Sequence, residues 1–93
     1  MSVVIIGGNE CMEGNYKEMC KKYGFAAKVF TKESGSMKKK IGTPDLLVLF
    51  TNTVSHKMVF GVVQEAKRSG IPIARSHSSS MAALESILTQ RTC

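Results

Sequence analysis

A run of five apolar residues from Leu46 to Phe50 limits the folds open to this chain more than any other stretch. The run reads L-L-V-L-F, with Pro44 shortly before it and the polar triplet T-N-T directly after it. An apolar run of this length is too short for a helix and is typical of a strand buried on both faces. Such strands occur in parallel sheets covered by helices on both sides, so the run predicts an α/β protein with this strand at its centre.

The rest of the chain supplies three more strands and three helices. β-Branched and apolar runs predict the strands, and apolar residues repeating every three or four positions predict the helices. Asn9 is the expected N-cap of the first helix, and serines are expected to cap the last one. The predicted strands are 2–6, 27–30, 46–50 and 71–74, and the predicted helices span about 9–23, 54–69 and 81–88. The basic, glycine-containing segment 31–44 is predicted as a loop with room for one helical turn.

These elements predict a single domain over residues 1–93 with a Rossmann-like half-domain fold. Helices between parallel strands make right-handed crossovers, which place helices on both faces of the sheet. We therefore expect three layers, α/β/α, around a four-stranded parallel sheet with the strand order 2-1-3-4. The chain changes direction between strands 1 and 3 in this order, and open parallel sheets bind ligands at such a point, outside the carboxyl ends of the strands.

Charge and apolar run lengths narrow the class of protein. Thirteen Lys and Arg against seven Asp and Glu give a formal charge of +6, which favours an anionic partner. No apolar run approaches the roughly 18 residues that span a bilayer, and the apolar start is too short for a signal peptide. The three cysteines lack metal-ligand spacing and fit a reducing compartment. We therefore expect a cytoplasmic protein that does not enter a membrane.

Three polar segments follow predicted strands and would meet at one edge of the sheet. They combine glycines, hydroxyl groups and an arginine, and each precedes a helix whose amino end favours negative charge. An arginine can also hold an oxyanion through two parallel hydrogen bonds. The segments predict a pocket for a small anion that is phosphate-bearing or nucleotide-derived. Its candidate residues are Gly7, Gly8 and Asn9, then Thr51, Asn52, Thr53, Ser55 and His56, then Arg75, Ser76, His77, Ser78 and Ser79.

The two histidines of the chain, His56 and His77, both fall in these segments. One alternative is therefore an enzyme of phosphotransfer or phosphodiester cleavage that uses a histidine, with Arg75 and Lys57 stabilising charge. A hydrolase usually needs a nucleophile, a base and an orienting carboxylate, yet Glu10 is the only acid in the segments. Binding without reaction, by a sensor or sequestering protein, is therefore the leading interpretation.

Two other ligand classes stay open. Cys11, near the start of the first helix, could serve a redox or haem or metal sensor together with the histidines, and the sequence leaves the cofactor unknown. The basic run 38–40 and the net charge would suit nucleic acid. That option is weaker, because the aromatic residues are not interleaved with basic ones as in single-strand binding surfaces.

A homodimer is also expected. A chain of 93 residues buries a small core, and a partner would add to its stability. Phe60 falls outside the apolar face of the second helix, and several of the six methionines lie on helix faces.

Several motifs resemble the bacterial domain-of-unknown-function family 2325 over nearly the whole chain. They are V-V-I-I-G-G at 3–8, V-S-H at 54–56 and R-S-H-S-S at 75–79, with Tyr16, Gly24, Gly70 and Pro72 at matching positions. The resemblance implies a small Rossmann-like domain. It also implies a set of site positions, which are Gly7, Gly8, Tyr16, Ser55, His56, Arg75, Ser76 and Ser78.

The chain departs from the family pattern at two places. Many members carry H-D-G after the second strand, where this chain has T-K-E-S-G at 31–35. Many also carry a lysine in the second helix, where this chain has Val63.

Overall fold

Four short strands form one parallel sheet. The structure, a computed structural model, describes residues 2–8, 10–30, 44–54 and 56–92, and for His56, Arg91 and Thr92 it describes the backbone alone. The strands are β1 (Ser2–Ile6), β2 (Ala26–Phe30), β3 (Leu46–Phe50) and β4 (Ile73–Ser76). Their order is β2-β1-β3-β4 and every neighbouring pair is parallel, which confirms the predicted sheet.

The central strand β3 is buried along its whole length, as its composition predicts. Val3 of β1 lies opposite Leu46 and Val4 lies opposite Leu47, so alternate residues of both strands face opposite sides of the sheet. Each side therefore carries its own apolar cluster, and each cluster needs a helical cover.

Three helices in the described part of the chain supply that cover. They are α1 (Glu13–Lys22), α2 (His56–Ser69) and α3 (Met81–Thr92). Tyr16 and Cys20 of α1 pack with Leu84 and Leu88 of α3 on one face of the sheet. The other face is covered by α2, whose buried residues are Met58, Val62, Val63 and Ala66. The α/β/α layering is thus as predicted.

The last strand begins two residues later than predicted and includes Arg75 and Ser76. Ile71 lies just after α2 and closes its carboxyl end, because its N–H donates to the Ala66 carbonyl at 2.9 Å and its side chain is buried. Pro72 has no N–H and contributes only its carbonyl, which accepts from the Leu47 N–H at 2.9 Å. Residue-to-residue pairing with β3 therefore starts at Ile73 and ends at Ser76. The predicted strand 71–74 was wrong in this boundary.

Helix starts also differ in detail from the predictions. The first helix opens with a 3-10 turn over Glu10–Met12, and Met12 stands at the N-cap of α1 without a side-chain hydrogen bond. The predicted cap Asn9 lies outside the described residues, as do residues 31–43 of the predicted loop 31–44. The second helix begins at His56 instead of Val54, which packs in the turn before it. Ser80 caps α3 as predicted, accepting the Ala83 N–H at 3.2 Å.

None of the helices in the described part of the chain combines the length and apolar character of a membrane-spanning segment.

Candidate functional site

The loops after β1 and β3 are joined at the carboxyl end of the sheet. The Thr53 hydroxyl accepts the Gly8 N–H at 2.6 Å and donates to the Phe50 carbonyl at 3.2 Å. The Gly7 N–H donates to the Phe30 carbonyl at 2.9 Å, which continues the sheet pattern. Both glycine N–H groups therefore donate hydrogen bonds within the protein. The Thr53 hydroxyl is likewise used to join the loop after β1 to the loop after β3.

Only glycine fits at positions 7 and 8. Both residues have positive φ, +96° and +88°. A Cβ at Gly7 would lie 2.7 Å from Thr53 Oγ1 and 2.8 Å from Val54 Cγ1, and a Cβ at Gly8 would lie 2.7 Å from the Tyr16 ring. The missing side chains let the neighbouring loop and the ring close onto this turn.

Tyr16 connects the first and third loops. Its side chain is fully buried, and its hydroxyl donates to the Ser79 carbonyl at 2.6 Å. Its ring packs against Phe50 with centroids 5.4 Å apart. The family resemblance implied Tyr16 as a site position, but this bond carries no sequence signal, because a distant backbone carbonyl accepts it.

The serines of the third loop bond mainly to one another. Ser76 Oγ donates to the Ser78 carbonyl at 2.6 Å, and Ser78 Oγ donates to Ser80 Oγ at 3.1 Å. Thr51 joins this loop to the second one, since its N–H donates to the Ser76 carbonyl at 2.8 Å. The predicted meeting of the three loops is thus what the structure has, and the links are hydroxyl and backbone groups.

Cationic and polar side chains face outward from this edge. Arg75 and His77 are exposed, as are Asn52 and Lys57. Arg75 lies opposite Leu49 in the register and two residues after Ile73, which packs on the α2 side. Because strand side chains alternate, Arg75 is on the sheet face that α2 covers, at the end where α2 begins.

Carboxylates are scarce at this edge. Within the described parts of the three loops, Glu10 is the only acid. Asp45 lies at the opposite end of β3, where its Oδ2 accepts the Ser2 N–H at 2.7 Å. Glu10 and Arg75 therefore balance each other within the loops, and Lys57 in the first turn of α2 gives this edge a net positive charge.

The structure describes three of the predicted site residues only in part or not at all. Asn9 and Ser55 are outside the described residues, and His56 is placed by its backbone as the first residue of α2. Among the described residues, no group of three or more His, Cys, Asp and Glu side chains could hold a metal ion.

The two described cysteines differ in their environments. Cys11 is exposed in the 3-10 turn. Cys20 is buried in the core beneath α1, and burial raises the pKa of its thiol to about 11. Cys20 is thus a packing residue and stays a neutral thiol at ordinary pH.

A family comparison matches residues 2–91, nearly the whole chain. The matching family is described as "Uncharacterized protein conserved in bacteria (DUF2325)". The chain belongs to this family. The resemblance seen in the sequence motifs is thereby confirmed, while no curated protein matches the chain.

Two solved structures share the fold of this family member. A lactose-specific IIB component domain of the phosphoenolpyruvate:carbohydrate phosphotransferase system from Streptococcus pneumoniae matches with a TM-score of 0.66 and 14% identity, covering 99% of this chain and 90% of that chain. A de novo designed Rossmann fold protein matches with a TM-score of 0.65 and 14% identity, covering 97% and 95% respectively. These likenesses establish a small Rossmann-like domain.

One of the two departures from the family pattern, Val63, lies among the described residues. Val63 is 8% exposed and packs in the apolar cluster beneath α2. The other departure, at 31–35, lies outside the described residues.

Proposed function

We propose that this domain is a cytoplasmic binding module that holds a small anion, phosphate-bearing or nucleotide-derived, at the carboxyl edge of its sheet. It acts as a sensor or a sequestering protein, and it works as a homodimer. The observation that carries the proposal is the position of Arg75, exposed on the α2 face of the sheet beside the amino end of α2. The helix end and a guanidinium on the same side favour an oxyanion between them.

Neighbouring groups support an anion at this position. Lys57 is exposed in the first turn of α2, and that turn contains no acidic residue. Asn52 is exposed in the turn after β3, next to the end of β4, because Thr51 bonds to Ser76. His77 follows directly and is exposed as well. An anion here gains hydrogen-bond donors from two loops and a helix end.

The glycine turn has a supporting part in this proposal. Since the Gly7 and Gly8 N–H groups bond to Phe30 and Thr53, the anion is held by side chains and by the start of α2. The glycines and Tyr16 keep the three loops packed together, so the binding groups need little reorganisation.

Calorimetric titration with inorganic pyrophosphate, comparing the wild-type protein with Arg75→Gln, tests the proposal. Loss of a charge-assisted hydrogen bond is worth about 1.5 to 3 kcal/mol, so the variant should bind about tenfold to a hundredfold more weakly. Arg68→Gln is the matched control, because Arg68 is an exposed arginine at the other end of α2. Equal weakening in both variants would indicate unspecific attraction to a basic protein and would contradict the proposed site.

Native mass spectrometry of the protein purified from cells names the physiological ligand. A co-purifying mass that is present with the wild-type chain and absent with Arg75→Gln supports the site. A mass retained equally by both proteins places the ligand elsewhere.

Turnover assays separate binding from phosphotransfer. The similar Streptococcus pneumoniae domain is a component of a phosphotransferase system, so the alternative enzyme activity is tested with cyclic and linear nucleotides. Binding without turnover supports the binding module. Turnover that is lost in His56→Ala or His77→Ala would replace it with the enzyme.

A further inference from the structure

A shallow groove runs between the first and last helices. Its floor is formed by Met19 and Met81, both half-buried, and its rim by Asn15, Glu18 and Lys22 of α1. The rim residues recur every three or four positions, so they line one flank of the helix. The groove is thus an apolar strip bordered by an amide, an acid and a base.

Hydrogen bonds between the helices fix the shape of this groove. The Tyr23 hydroxyl at the end of α1 donates to Glu85 of α3 at 2.9 Å, and the Tyr16 hydroxyl donates to Ser79 just before α3. A partner that docks here meets a surface that is already formed, which lowers the entropy cost of association.

The groove differs in its surrounding charges from the other apolar feature of the surface, the exposed side chain of Phe60. Phe60 is 66% exposed and is the one large apolar side chain that is exposed in the described part of the chain. Helical spacing places Lys57, Gln64 and Lys67 beside it, all of them exposed. A second copy docked symmetrically on this face would bring like charges together, which is unfavourable.

In the groove, symmetric docking of two copies brings opposite charges together. In a two-fold interface the same patch is used by both copies, so a residue i that meets j is matched by j meeting i. Glu18 and Lys22 lie one helical turn apart on either side of Met19 in the rim. Two antiparallel copies of α1 that meet at Met19 therefore bring each Glu18 within reach of a Lys22 across the axis.

We propose that a second copy of this chain docks in the groove between α1 and α3, with Met19 and Met81 at the centre of the interface. Glu18 of each copy pairs with the partner subunit's Lys22. This inference rests on the homodimer put forward under the proposed function and is independent of the anion site, which lies at the carboxyl edge of the sheet.

Charge reversal across the axis tests this interface. Glu18→Lys alone and Lys22→Glu alone each replace two attractive pairs with two repulsive ones, and should raise the dimer dissociation constant about tenfold or more. An equimolar mixture restores two attractive pairs in the heterodimer, so it should associate about as tightly as the wild-type protein. Sedimentation velocity at micromolar concentration measures the self-association of each variant. In the mixture, a fluorescent label on one variant reports the heterodimer.

Matched controls carry the same charge changes on α2. Glu65→Lys and Lys67→Glu lie on α2, outside the groove, and they should leave the dimer unchanged. Pyrophosphate titration of the groove variants keeps the two proposals apart, because anion binding should persist in them.

Two results would overturn the inference. If the wild-type protein is monomeric at micromolar concentration, the dimer and its interface are both wrong. The anion site is tested separately, by pyrophosphate binding. A wild-type dimer that tolerates both groove variants, or a mixture that fails to recover association, removes this interface.

Discussion

Gly8, Tyr16 and Thr53 hold neighbouring loops of the carboxyl edge in fixed positions. The Gly8 N–H reaches the Thr53 hydroxyl, and the buried Tyr16 ring fills the space where a Gly8 side chain would lie. The Tyr16 hydroxyl then fixes the third loop through Ser79. Each contact depends on another, so a small change at one residue should affect the packing of all three loops.

Replacing Gly8 by alanine tests this dependence. The new methyl group would meet the Tyr16 ring at 2.7 Å with φ at +88°, so something must shift. We expect the free energy of unfolding to fall by about 2 to 4 kcal/mol, because backbone strain and overpacking add together. Urea denaturation followed by circular dichroism measures the change.

Gly14→Ala is the control for this substitution. Gly14 lies in α1 with nothing within 4 Å of the place where an alanine Cβ would lie, so alanine should raise the free energy of unfolding by about 0.5 to 1 kcal/mol. Equal effects of the two substitutions would show that the turn tolerates a side chain.

Residue types, more than residue contacts, could be predicted from the sequence. The hydroxyls of Thr53, Ser76 and Ser78 belong to loops that do meet, yet these groups bond within the protein. Sequence position cannot tell an outward hydroxyl from a linking one, because the acceptor lies in another loop. Arg75 was predicted for the anion site, but its place within β4 could not be predicted, because that place depends on its pairing with Leu49 of β3.

At the scale of elements, local chemistry decides some boundaries and the neighbouring strand decides others. Ser80 caps α3 because its hydroxyl can reach the Ala83 N–H from a fixed place in sequence, which made the cap predictable. The start of β4 depends on Pro72 and on Leu47 of another strand, so it was placed two residues too early. The order of the strands was predictable, since right-handed crossovers leave few alternatives.

Removing the cap of α3 should destabilise the domain. Ser80→Ala deletes the acceptor of the Ala83 N–H and should lower the free energy of unfolding by about 1 kcal/mol. Ser86 is an exposed serine in the middle of the same helix, where alanine is the better helix former and should add a few tenths of a kcal/mol. Thermal denaturation of both variants measures the difference, and a loss at Ser86 as large as at Ser80 would contradict the capping role.

The whole molecule is a small basic domain with cationic groups at both ends of its sheet. At the amino end, Lys17 and Lys21 line a depression beside the start of β2, and Lys17 is paired with Glu13 at 3.4 Å. At the carboxyl end, Arg75 is exposed near the amino end of α2. A net charge of +6 attracts anions to the entire surface, so only a position-resolved measurement separates a site from this general attraction.

Titration of the ¹⁵N-labelled protein with inorganic pyrophosphate, followed by amide chemical shifts, makes that measurement. The proposed site predicts saturable shifts that are largest at Asn52, Lys57 and His77, and that need about tenfold or more pyrophosphate to reach saturation in Arg75→Gln. Largest shifts at Lys17 and Lys21, or shifts that rise without saturation over the whole surface, would contradict an anion site at the carboxyl edge of the sheet.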